Sequence, residues 1–247
     1  MQLDFHINKT LLASSALFGK KSKNLKSKGW ADLKNKLWEK YFETYSFFLY
    51  KPDFRHIVAR ETYPGSLQKI ANNTPKLLEE VIKSPEFKKL LSDTQEYKDW
   101  LEKEWKQKKD QTTKELENIL RMQLPNKIFK VFVIAPIVGG GSYLGNYKIF
   151  WGHKENWSNY NIVYLMHEVL HELIQREKYA HEVVELATDN ELRIRLNQGG
   201  EYFVEKGEKV GHPRLLKKEK ELLPKWREYL RDNSANILTF VEEVSSY

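Results

Sequence analysis

The spacing of apolar residues changes character near residue 125, and this change restricts the possible folds more than any other feature of the chain. Upstream, apolar side chains recur at helical intervals: Trp30, Leu33, Leu37, Trp38, Tyr41 and Phe42 form one stripe between Gly29 and Tyr50. Thr74-Pro75 and Ser84-Pro85 each put a hydroxyl N-cap before a proline at the first helical position. They predict short helices ending near Lys83 and Leu91. Asp93 to Met122 predicts one long, charged helix stopped before Pro125. Downstream, Ile128 to Ile134 is a run of β-branched and aromatic residues, which predicts a strand. Tyr147 to Trp151 predicts a second strand, with Gly139 to Ser142 as a loop or turn beside it. Helices are then expected over Asn161–Gln175, His181–Asn197, Pro213–Arg231 and Ala235–Val244. Gly199-Gly200 should end the second of these, and Pro224 is a potential break in the third. Helices, a small sheet and helices again predict an α+β fold that is mainly helical, divided into a helical region 1–125 and a second region 126–247.

Composition excludes several classes. The chain has 247 residues, 40% of them hydrophobic and 13% aromatic, enough to bury a core. Cysteine is absent, so any transition metal must be held by His, Asp or Glu. No run of about 20 apolar residues is present to span a membrane. The apolar stretch Leu11–Phe18 follows Asp4 and His6, with Lys9 the only cation ahead of it, a poor match to a secretory signal. A cytoplasmic location is the expectation. The formal charge of +7 is scattered, apart from the lysines between Lys20 and Lys28, and reads as a soluble basic surface rather than a nucleic-acid footprint.

The residues that carry chemistry are His167-Glu168-Val169-Leu170-His171. On a helix, two histidines four positions apart lie about 40° apart in projection and can reach one cation. The glutamate beside the first then points at the place a bound water would take. Ile162, Val163, Leu165, Met166, Val169, Leu170, Leu173 and Ile174 occupy one arc of this helix, and Tyr164, His167, Glu168, His171 and Glu172 the other. A solvated arc would carry lysine and arginine, yet residues 155–175 hold neither, where 41 in 247 predicts about three or four. A third ligand candidate follows in Glu185-Leu186-Ala187-Thr188-Asp189. Two histidines and a glutamate with one open position form a catalytic zinc set. Asp189, one turn further, is placed to accept a hydrogen bond from a ligand imidazole. Glu182, Glu191 and His181 compete with Glu185 for the third position. His6, His56 and His153 have no ligand-spaced partner.

The HEVLH helix, the downstream ELATD and the strand before them resemble the gluzincin branch of the zincin metallopeptidases, over about residues 128–197. The metzincin branch would need Gly at 174 and His at 177, where this chain has Ile174 and Glu177. The resemblance implies a zincin-type active-site helix next to a small sheet. It implies zinc on His167, His171 and Glu185, Glu168 as general base, Asp189 in support, and a peptide or protein substrate. Tyr202, His212 and Tyr164 are candidates to stabilise an oxyanion, and the strand before the helix is a candidate edge for pairing with an extended peptide. The competing expectations are a catalytically inactive zincin-fold binding protein, and a basic nucleic-acid-binding protein whose His and Glu are structural.

Overall fold

The structure is a computed structural model that describes residues 1–50, 68–174, 177–232 and 234–246. It is mainly helical, with a four-stranded mixed sheet and a separate two-stranded one. Strand β1 (Gln2–His6) leads into α1 (Lys9–Phe18), α2 (Lys28–Lys40) and α3 (Phe42–Tyr50). After these come α4 (Gln68–Lys83), α5 (Pro85–Leu120), β2 (Ile128–Val133), β3 (Gly141–Gly145) and β4 (Lys148–Trp151). The chain continues with α6 (Tyr160–Leu173), then α7, whose α-helical ends Ala180–Glu185 and Arg193–Leu196 flank a π-helical stretch Leu186–Leu192. The short hairpin β5 (Val204–Glu205) and β6 (Glu208–Lys209), α8 (Leu216–Arg231) and α9 (Ile237–Ser245) complete it.

The main sheet has the order β1-β2-β4-β3, with β1, β2 and β4 parallel and β3 antiparallel at the edge. Its alternating side chains serve two cores, as the period of a strand requires. Phe129, Val131, Val133, Ile149 and Trp151 face a core built with α6, α7, α8 and the second half of α5. Ile134, Leu144 and Phe150 join the other core, with α1 and α4. The 36-residue α5 belongs to both: Phe87 and Leu90 enter the second core, and Leu101, Trp105 and Leu116 the first. Of its two tryptophans only Trp105 is buried, while Trp100 stacks on Tyr97 at the surface.

Several expectations are corrected. Ser84 does cap a helix, accepting a hydrogen bond from Phe87 N–H, but that helix continues past Leu91 without interruption to Leu120. Thr74-Pro75 starts nothing: α4 begins at Gln68 and runs through Pro75, and the Thr74 hydroxyl donates back to Ile70 O. Pro224 likewise lies inside α8, whose later turns are held by buried Trp226 and Tyr229. Gln2–His6 also forms a strand that is not among those expected; polar Gln2, Asp4 and His6 alternate with buried Leu3 and Phe5, but over only five residues. Gly141 and Ser142, expected in a loop, open β3, so the sheet edge is β3 and the strand at 148–151 is internal. His56 lies outside the described residues. No helix among the described residues is long and apolar enough to cross a membrane.

Candidate metal centre

Helix α6 is fixed at its start by polar contacts. The Glu155 carboxylate accepts the Tyr160 N–H and the Asn161 amide, placing negative charge at the helix N-terminus where the dipole favours it. Asn161 is fully buried, and its Oδ1 accepts from Trp151 Nε1 at 2.8 Å and from the Tyr97 hydroxyl at 2.9 Å, tying α6 to β4 and α5. With its apolar arc sunk in the core, α6 turns His167, Glu168 and His171 toward a cleft.

His167 and His171 converge. Their Nε2 atoms stand 3.1 Å apart, close to the roughly 3.3 Å expected between two nitrogens each about 2.05 Å from one tetrahedral zinc. The Nδ1 of His167 faces Asp189 Oδ1 at 2.8 Å, which leaves the Nε2 lone pair for the cleft when Nδ1 carries the proton. Asp189 is also held by the Thr188 hydroxyl. The third nitrogen of this group belongs to His181, so that His167, His171 and His181 offer three ligand atoms within 4.8 Å of one another. His181 Nε2 is buried and makes no hydrogen bond with a described residue, standing 3.5 Å from Glu185 Oε1. Three converging histidines are the donor set of a site that could hold a divalent cation.

Glu185 is fully buried and turns to a different neighbour. Its Oε1 faces His212 Nδ1 at 2.5 Å and its Oε2 accepts the His212 backbone N–H at 2.8 Å. With His181 and His212 it forms a second, overlapping group of possible ligands. The loop that delivers His212 requires glycine at 211: φ is +82°, and a Cβ there would lie 2.3 Å from Glu185 Oε2. The pKa of the neighbouring Glu219 carboxyl is raised, first by burial and then by its interaction with Glu185.

The electrostatics follow from burial. Desolvation holds the His167 imidazole down to about 4, and His171 and His181 to about 3, so all three rings are neutral at neutral pH. Desolvation also pushes the Asp189 carboxyl up to about 7, with the Thr188 hydroxyl opposing it. His212 moves the other way, raised by its bond to Glu185.

Glu168 lies at the junction of two cavities that flank the cluster, about 390 and 720 Å³. Gly141 in β3 leaves room for it: a Cβ at 141 would meet the Trp151 ring at 2.6 Å and Glu168 Oε1 at 3.3 Å. Tyr164 also lines the cleft, and its hydroxyl accepts the Gly211 N–H. Tyr202 lies elsewhere, its hydroxyl donating to Glu191 and accepting from Trp226 Nε1. Glu191 pairs with Arg195. His6 bonds Asp4, and His153 lines the smaller cavity, with burial as the main cause of its imidazole being held near 4. The structure thus brings together His167, Glu168, His171 and Asp189. It places Glu185 one ring away, beside His181, a competitor for the third ligand position, and beside His212, a candidate oxyanion donor. The signal for His181 is its own i,i+4 relation to Glu185 on α7; nothing local in the sequence marks His212 as a partner of Glu185.

Comparison with protein-family models, curated proteins and solved structures returned no match to this chain.

Proposed function

We propose that this chain is a zinc-dependent metallopeptidase with His167, His171 and His181 as the metal ligands and Glu168 as the general base. The observation that carries this reading is the 3.1 Å approach of the His167 and His171 Nε2 atoms, with His181 in reach and Glu168 facing the same cleft. Zinc bound there would polarise the scissile carbonyl and acidify a water molecule. Glu168 takes the proton from the attacking water and delivers it to the leaving nitrogen. The C–N bond breaks as the water oxygen joins the acyl carbon. Tyr164, which lines the cleft, keeps its hydroxyl proton because burial raises its pKa and is a candidate oxyanion donor, with His212 as the neighbouring one. Asp189 holds the His167 ring, and Glu185 holds His212. The edge strand β3 supports a peptide as substrate: it runs beside α6, is bonded to β4 on one side only, and offers its other edge to an extended chain. The test is metal analysis paired with hydrolysis of a generic quenched-fluorescent peptide mixture. Glu168→Gln should retain zinc and lose turnover; unchanged hydrolysis in that variant removes Glu168 from the mechanism.

A further inference from the structure

The smaller cavity, about 390 Å³, extends from His167 and Glu168 to the link between α1 and α2, where Lys20 and Lys21 line it. Between these ends its lining includes the rings of Phe150, Trp151, Tyr160 and Tyr164. The residues facing those rings are Gly139, Gly140 and Gly141, which contribute no side chain to fill the space. A side chain is barred at Gly139, where a Cβ would fall 1.8 Å from Gly152 O, and at Gly141, where it would meet the Trp151 ring at 2.6 Å. Glu168 is the only acid among the described residues lining the cavity. No described acid forms an ion pair with Lys20 or Lys21, although lysines elsewhere on the surface are paired, as Lys40 is with Glu80. The Lys21 charge also reaches inward, since it adds to burial in holding the His153 ring neutral. Two ammonium groups without an acidic partner among the described residues, on a cavity whose effective dielectric is below that of water, attract an anion more strongly than the same groups in open water would. The end of α1 favours cations near its last turn in any case; the cavity connects them to Glu168.

We infer that this cavity is a carboxylate-recognition pocket: the substrate is a peptide whose segment on this side of the scissile bond carries an acidic side chain or a terminal carboxylate, bound by Lys20 and Lys21. This inference rests on the peptidase reading for its substrate class, and the experiment separates the two. Equilibrium binding of labelled short peptides would be read by fluorescence anisotropy on zinc-loaded Glu168→Gln protein, which leaves the peptides intact. One pair of peptides differs by Asp against Asn with the terminus amidated. A second pair differs by a free against an amidated C-terminus with a neutral side chain. The acidic member of at least one pair should bind about tenfold tighter, as expected for a charge-assisted contact, and the pair that shows the gain identifies the source of the carboxylate. The gain should shrink as salt is raised. Adding Lys20→Ser and Lys21→Ser should abolish the gain while leaving the neutral peptides bound as before, which controls for folding. Equal affinity within both pairs, no binding of any peptide, or a preference that survives the double lysine substitution each overturns the pocket. Wild-type turnover on the same peptides judges the peptidase reading separately: a binding preference without cleavage refutes the peptidase and keeps the pocket, and cleavage without preference does the reverse.

Discussion

The two helices that meet at the histidine cluster deliver their side chains by different means. Helix α6 is regular, so His167 and His171 stand one turn apart and their ring nitrogens meet. Helix α7 changes to π geometry at Leu186–Leu192, where backbone bonds reach five residues back, as from Arg193 N–H to Thr188 O. His181 and Glu185 precede the change and Asp189 falls within it. Asp189 therefore meets His167, while Glu185 meets His212. The π stretch is held by a buried polar row: Asn190 donates to Glu185 O and accepts the Phe203 N–H, and Arg193 donates to Asp189 O and Glu201 O. The contrast teaches that an i,i+4 spacing brings two side chains to one point on α6, whereas on α7 Glu185 and Asp189, also four apart, reach different histidines.

The largest test of this contrast is removal of one nitrogen from each helix. His171→Ala on α6 and His181→Ala on α7 should each leave the purified protein without stoichiometric zinc; a full complement in either variant would remove that residue from the ligand set. Glu168→Gln should lower turnover by about 10²–10⁴-fold with zinc retained. Next comes the pair on α7. Asp189→Asn should weaken zinc by about 10- to 100-fold, the usual cost of losing a carboxylate behind a ligand imidazole. Glu185→Gln should cost clearly less, and equal losses in a competition titration would erase the distinction drawn between the two carboxylates.

Smaller effects concern stability. Asn190→Ala leaves the buried Phe203 N–H without a partner and should cost about 1–3 kcal/mol in denaturant unfolding, against little change for the exposed Glu177 in the link between α6 and α7. In metal-free protein the pH dependence should separate the helices by sign. The His171 ring resists protonation down to about 3, against 6.5 when free. The unfolded chain alone takes up that proton as pH falls, so the stability given by the neutral ring is present above 6.5 and is lost toward 3. Asp189 acts in the opposite direction: raised from 3.8 to about 7, it contributes stability below 3.8 that is lost as pH rises through 7. His171→Gln should flatten the acid limb of stability against pH, and Asp189→Asn the limb approaching 7. Superimposable profiles for the two variants would deny the difference in burial chemistry.

Much of this was legible beforehand. The apolar arc of α6 and the absence of cations from residues 155–175 marked a helix with one buried and one chemical face, and Ser84 marked a true helix start. What stayed hidden was non-local. The parallel pairing of Gln2–His6 with β2 joins residues more than a hundred positions apart, and no local pattern encodes it. Gly141 read as a turn because its role is to admit the Trp151 ring and Glu168, which only the folded chain brings there. His212 reaches the cluster through a loop clamped on a buried carboxylate, and loops carry no period. The slip in α7 left no signal in its spacing of Glu185 and Asp189.

The undivided α5 has a consequence for how the molecule comes apart. Because one continuous rod supplies side chains to both apolar interiors, neither can melt while the other keeps its share of that rod intact. Heating should therefore give one calorimetric transition whose van't Hoff and measured enthalpies agree, even though the chain has two interiors.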